Sequence, residues 1–80
     1  MYKLRYRADV EAVWDALPDA ARRELDLALA EVCRDPYATT EPHGKDGDVT
    51  RILKLRHTRS VLLVIEPGLR VRIISINYLG

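Results

Sequence analysis

From Thr50 onward the sequence is dominated by aliphatic residues in runs too short for helices and too regular for loops. Residues Arg51 to Arg56, Val61 to Glu66 and Arg70 to Tyr78 read as three strands. Pro67 and Gly68 supply the fixed φ and the positive φ of a type II turn, so the last two of these strands form a hairpin. Three consecutive strands commit the chain to a sheet, and the rest of the sequence has to cover one of its faces.

The first half carries that cover. Tyr2, Leu4 and Tyr6 alternate with Lys3, Arg5 and Arg7, so residues 2–7 read as a further strand with one buried and one basic face. Asp9 can cap a helix in which Val10, Val13, Trp14 and Leu17 share one side. Pro18 is tolerated only in a first helical turn, so it restarts a second helix, with Ala21, Leu25, Ala28, Leu29 and Val32 on its apolar face. That helix ends near Arg34, because the residue before Pro36 is pushed out of the helical region. Residues 35–48, DPYATTEPHGKDGD, hold two prolines and two glycines and read as one long loop, ordered or mobile, with 37–48 expected to be the most mobile internal stretch. The element order is β-α-α-β-β-β, in a single domain spanning 1–80.

Eighty residues support one modest core. With most of the 48% apolar residues needed inside, little remains for a deep pocket, and chemistry is expected on an open face suited to a polymeric ligand. One cysteine, Cys33, cannot form an internal disulfide, and one Cys with two distant His cannot build a zinc site, which suits a reducing cytoplasm. No metal and no small-molecule cofactor is expected. The N-terminus lacks an apolar targeting core, and the run Val61 to Ile65 is too short to span a bilayer, so a soluble cytoplasmic protein is expected.

Charge is segregated along the chain. Residues 1–7 and 51–80 hold nine Lys or Arg and one acid, Glu66, whereas residues 8–50 hold four Lys or Arg and eleven Asp or Glu. Strands are basic and helices acidic. Helices on one sheet face would leave Lys3, Arg5, Arg7, Arg51, Arg70 and Arg72 on the other, a patch that attracts polyanions: RNA, DNA or an acidic segment of another protein. A plainer reading is that a half-exposed sheet needs polar residues and that Lys and Arg guard its edges. That reading explains polarity but not nine bases against one acid.

These segments together resemble the RelE/ParE superfamily of small toxins from type II toxin–antitoxin systems. The resemblance rests on a strand and helical hairpin, the Asp35-Pro36 pair closing the second helix, and a glycine-containing loop. It continues through ILKLR (Ile52 to Arg56), RSVLLVIE (Arg59 to Glu66) and RVRIISI (Arg70 to Ile76). It implies a RelE-like α+β fold, a helical hairpin on one face of a mainly antiparallel four-stranded sheet. In the ribonuclease branch it implies metal-independent cleavage of mRNA at the ribosomal A site, by attack of a ribose 2′-oxygen on the neighbouring phosphate. Lys54 then has a base or phosphate-stabilising role, Arg59 contacts the scissile phosphate, and Arg56 stands alongside, sharing Lys54's strand face by alternation. The implied partners are the ribosome with its mRNA and a cognate antitoxin with an acidic, amphipathic segment.

Ribonucleases of this kind usually continue past the last strand with a basic and aromatic tail that supplies a proton donor, whereas this sequence stops at NYLG. Tyr78 or His57 could substitute, although neither matches the family motif, and His57 in a turn also reads as an ordinary exposed histidine. The resemblance leaves two alternatives open: a ParE-like toxin that acts on DNA gyrase by protein binding, or a non-enzymatic module for an acidic partner. Other motifs are incomplete. Gly44-Lys45 lacks the spacing of a phosphate-binding loop, Asp46 and Asp48 do not complete a calcium loop, and His43 reads as a loop residue. Trp14 and Cys33 read as packing residues.

Overall fold

A computed structural model describes all residues, 1–80. Its elements are β1 (Lys3–Tyr6), α1 (Ala8–Ala16), α2 (Asp19–Arg34), α3 (Pro36–Thr39), β2 (Glu41–Pro42), β3 (Thr50–Lys54), β4 (Thr58–Ile65) and β5 (Arg70–Tyr78). The strands form one sheet in the order β1-β5-β4-β3-β2. β1 pairs parallel with β5 and every other pair is antiparallel. The α+β class and the mainly antiparallel sheet are as expected, and no helix is long and apolar enough to cross a membrane.

The helical hairpin covers one face of the sheet. Val10 of α1 and Ala21, Leu25, Leu29 and Val32 of α2 pack with Leu53, Leu62, Val71, Ile73 and Ile76 into one buried cluster. The helical i, i+4 spacing and the strand alternation bring these positions together. Val13, expected on the same stripe, is 37% exposed, because α1 turns only Val10 and part of Trp14 inward. Asp9 does not cap α1. Arg7 occupies the cap position without a side-chain bond, and Asp9 and Glu11 lie in the first turn, where carboxylates favour the helix dipole.

The long loop is more structured than its composition suggests. Asp35 caps the single turn of α3 by accepting from the Ala38 N–H at 3.3 Å. The chain then adds β2 to the sheet edge, with Glu41 opposite Ile52 and Pro42 opposite Arg51, so the sheet has five strands instead of four. Proline is acceptable there because an edge strand leaves one backbone donor side unused. Tyr2 Oη donates to Glu66 Oε1 at 3.0 Å, and Tyr37 Oη lies 3.0 Å from both that oxygen and the Asp48 carbonyl. Glu66, just past β4, thus clasps Tyr2 ahead of β1 and Tyr37 of α3 together. Local desolvation, then the Glu66 hydrogen bond, hold both phenols above the ordinary tyrosine range.

The β4–β5 connection follows the expected turn. Leu69 N–H donates to the Glu66 carbonyl at 3.0 Å, and Gly68 at φ +89 occupies the position that needs a left-handed backbone. Further along β5 the pairing slips: Val61 is opposite Ser75 whereas Leu62 is opposite Ile73, which leaves Ile74 as an extra residue. This bulge reverses the facing of everything after it.

Candidate nucleic-acid interface

The face of the sheet away from the helices is defined by its cross-strand rows, since directly opposed residues share a face. At one end Lys3 is opposite Arg70 and Arg5 is opposite Arg72. At the other end Lys54 is opposite Arg59, which is opposite Asn77. Between them lie half-buried Ile52, Val61 and Leu63, with Ser75 beside Val61. Like charges directly opposed destabilise a sheet, so the Lys3–Arg70 and Arg5–Arg72 pairs are a standing cost that a bound anion would relieve. Four residues of β4 separate the Arg59 row from the Leu63 row, roughly 13 Å at the rise of a strand. The two cationic clusters therefore lie at separate ends of one open face.

Lys54 is half-exposed, and its Nζ lies 3.4 Å from Glu41 Oε2 on β2. Arg59 is partly buried and folds back over the β3–β4 turn, where its Nη1 donates to the Leu55 carbonyl and, at 3.3 Å, to the Thr58 carbonyl. Those two bonds fix one guanidinium nitrogen, and its Nη2 and Nε are bound to nothing in the protein. A pinned guanidinium with free donors binds phosphate at low entropic cost.

Three residues expected on this face are elsewhere. Arg51 is buried, with 7% of its surface exposed, on the helix side of β3. Its guanidinium donates to Thr40 Oγ1 at 3.0 Å, to the Thr40 carbonyl at 2.8 Å and to the Gly47 carbonyl at 2.9 Å, and it stacks 5.1 Å from the Tyr37 ring centroid. Alternation sends it inward with Leu53, where it pins the 36–49 segment and is unavailable to a ligand. Arg56 does not share Lys54's strand face, because β3 ends at Lys54 and Arg56 lies exposed in the turn. Arg7 has left the sheet for the start of α1.

The two substitute proton donors are also displaced. Tyr78 is opposite Thr58, a fully buried residue of the helix side, so the bulge has turned it away from Lys54 and Arg59. His57 lies in the turn; its backbone N–H donates to Glu24 Oε1 at 3.0 Å and its Nδ1 is 3.4 Å from the Gly80 carbonyl. The face instead gains Asn77 and Glu41, which alternation did not assign. A bulge in the run RIISINY would have identified Asn77, whereas nothing local to Glu41 announces its pairing with β3. No group of three or more His, Cys, Asp or Glu side chains is gathered to hold a metal.

The arrangement defines an α+β domain with a helical hairpin behind an open, cation-rich antiparallel sheet. This is the fold of the RelE-like toxins, and the resemblance read from the sequence is borne out. The chain superposes over its full length on the isolated Escherichia coli RelE toxin, with TM-score 0.85, 25% identity and 86% of that chain covered. It is similar to a chain of the intact Escherichia coli RelBE toxin–antitoxin complex, with TM-score 0.84 and 25% identity over 100% of this chain and 99% of the other. It also has the fold of the RelBE2 toxin–antitoxin complex from Mycobacterium tuberculosis, with TM-score 0.82 at 15% identity over 96% of each chain. No family model and no curated protein sequence matches it.

Proposed function

We propose that this chain is the toxin of a type II toxin–antitoxin pair and that it cleaves mRNA on the ribosome without a metal, with Lys54 and Arg59 at the scissile phosphate. The observation that carries this reading is the Lys54–Arg59–Asn77 row on a face whose other end holds Lys3, Arg5, Arg70 and Arg72. In the reaction the ribose 2′-oxygen forms a bond to phosphorus, the bond to the 5′-oxygen breaks, and the proton released from the 2′-hydroxyl is balanced by one delivered to the leaving oxygen. Lys54 and Arg59 stabilise the charge that builds on the phosphoryl oxygens. Glu41 is the carboxylate beside Lys54 and steadies its ammonium.

The partner follows from the same face. Two of the similar structures are described as complexes of RelE with an antitoxin, RelB or a RelB peptide. An acidic, amphipathic antitoxin segment fits here, with its apolar side on Ile52, Val61 and Leu63 and its acids on the flanking cations. The ParE-like alternative draws on one observation: Tyr78 faces away from Lys54 and Arg59, so the row holds no tyrosine or histidine as proton donor.

Controlled expression in a bacterial host, with primer extension on ribosome-bound mRNA, tests the reading. Growth arrest with new cut ends that require translation is the expected outcome. Arrest with intact mRNA and double-strand DNA damage would establish the gyrase-directed alternative, and absence of arrest would leave only a binding module.

A further inference from the structure

The helix side of the molecule holds a second feature, and its chemistry is opposite to that of the open sheet face. A cleft of about 200 Å³ opens between β1, α1 and α2. Its floor is apolar, made by Leu4, Val10, Leu29 and Ile73. Two aromatic side chains wall it: Tyr6, about half-exposed, and Trp14, partly buried against the core. Glu11 and Asp26 also line it. Helical spacing explains their place, since Glu11 is three residues before Trp14 and Asp26 three before Leu29, each on the same flank as its inward-facing neighbour.

Both carboxylates are uncompensated. The ion pairs of the helical hairpin join Asp19 to Arg22 and Glu31 to Arg34, and neither Glu11 nor Asp26 has a basic partner. The cleft therefore offers an apolar floor, two aromatic rings and two carboxylates without a basic partner. That combination selects a cation on an aliphatic stem: the stem replaces water over the floor while the cation meets ring faces and carboxylates. A phosphate would be repelled. The volume is below the roughly 300 to 1,000 Å³ of pockets that enclose drug-sized ligands, and it suits a single side chain.

We propose that this cleft is a docking site for one lysine or arginine side chain presented by a partner protein. Charge complementarity commits the occupant: the segment spanning α1 to β2 is strongly acidic, so the partner's contacting segment is basic. The site shares no residue with the open sheet face, so it stands whether or not the nuclease reading holds. A partner could occupy it while RNA or an antitoxin's acidic segment occupies the other side.

Trp14 is the sole tryptophan, and its indole N–H resonance reports on the cleft directly. The probes are N-acetyl-arginine amide and N-acetyl-lysine amide, with N-acetyl-norleucine amide as the neutral stem and N-acetyl-glutamine amide as the polar control. The arginine and lysine probes are expected to shift the Trp14 signal saturably, with affinity at least about fivefold above norleucine, and to weaken as salt rises. In the exposed double variant Glu11→Gln with Asp26→Asn, whose amide spectrum checks the fold, that preference should vanish. Equal binding of norleucine and arginine, an unchanged preference in the double variant, or no saturation by about 100 mM probe would overturn the proposal.

Discussion

Arg51 and Lys54 are three residues apart on one strand and have opposite fates. Arg51 points toward the helices, is buried, and spends its donors on the carbonyls and hydroxyl of the 36–49 segment. Lys54 points the other way, stays half-exposed, and meets one carboxylate at 3.4 Å. By composition they are equivalent cations. By the parity of their positions one is structural and the other is free for a ligand, because an odd offset along a strand places two residues on opposite faces. Counting charges along a strand therefore overstates a binding face unless each residue is assigned its side.

Removing each cation in turn separates the two roles. Lys54→Ala is expected to lower translation-dependent mRNA cleavage by about a hundredfold or more, while unfolding stability changes by less than about 0.5 kcal/mol. Arg59→Ala should behave in the same direction. A Lys54→Ala protein that cleaves like wild type but unfolds early would make Lys54 a structural cation of the Arg51 kind.

The converse variant, Arg51→Met, keeps most of the side-chain volume but strands the Thr40 and Gly47 carbonyls and the Tyr37 ring. A loss of about 3 kcal/mol in urea unfolding is expected, with hydrogen exchange rising across residues 36–49 first. If Arg51→Met unfolds at the wild-type midpoint, the 36–49 segment is held by something other than this guanidinium.

Much of the architecture was legible because its signals are local. Strand alternation at Tyr2, Leu4 and Tyr6, the helical stripe from Ala21 to Val32, the break before Pro36 and the Pro67-Gly68 turn each follow from a few neighbouring residues. Asp9 at the start of α1 and Arg56 past the end of β3 were local misses, but those that reshaped the site are mostly non-local. Glu41 and Pro42 look like loop because their strand character comes from β3, and Arg51 looks like a ligand for RNA because its partners, Thr40 and Gly47, are defined only after the segment folds back. Tyr78 is the most instructive case. Unbroken alternation from Arg70 and Arg72 would place it on the open face, but the extra residue at Ile74 moves Ile76 into the core and gives Asn77 the position beside Arg59.

Burial makes a further contrast with Arg51, whose three guanidinium nitrogens each donate to an acceptor close by. Thr58 Oγ1 and Ser60 Oγ, fully buried on the helix side of β4, have no hydrogen-bond partner. An unpartnered buried hydroxyl costs about 1 kcal/mol or more. Thr58→Val is therefore expected to raise stability by about 1 kcal/mol, measured by the shift in thermal midpoint, and Ser60→Ala to cost little because loss of the oxygen also relieves the unmatched group. Destabilisation by both would reveal that each hydroxyl is hydrogen-bonded in solution.

A pH series examines the clasp beside Arg51. The Tyr2 and Tyr37 phenols are raised in the folded state, first by local desolvation and then by the Glu66 carboxylate. Raised phenol pKa values favour the protonated, folded form, so this contribution is intact below about pH 10, the ordinary phenol value, and is lost as pH rises through the folded values. Glu66→Gln should make the alkaline loss of stability shallower. An identical alkaline limb in the two proteins would remove Glu66 from the cause.

The smallest effect is expected at the one ion pair Lys54 makes. Both partners are largely exposed, so the attraction is screened by water and offset by the entropy of holding two flexible side chains. Glu41→Gln should change unfolding stability by less than about 0.5 kcal/mol, against the several-fold larger effect at Arg51. Its influence should appear in binding instead. Removing one negative charge beside Lys54 lowers the repulsion felt by an incoming phosphate, so a short single-stranded RNA should bind modestly tighter, with the gain shrinking as salt is raised. A Glu41→Gln protein that loses as much stability as Arg51→Met would show that β2 is held to the sheet by this ion pair and not from behind by the buried arginine.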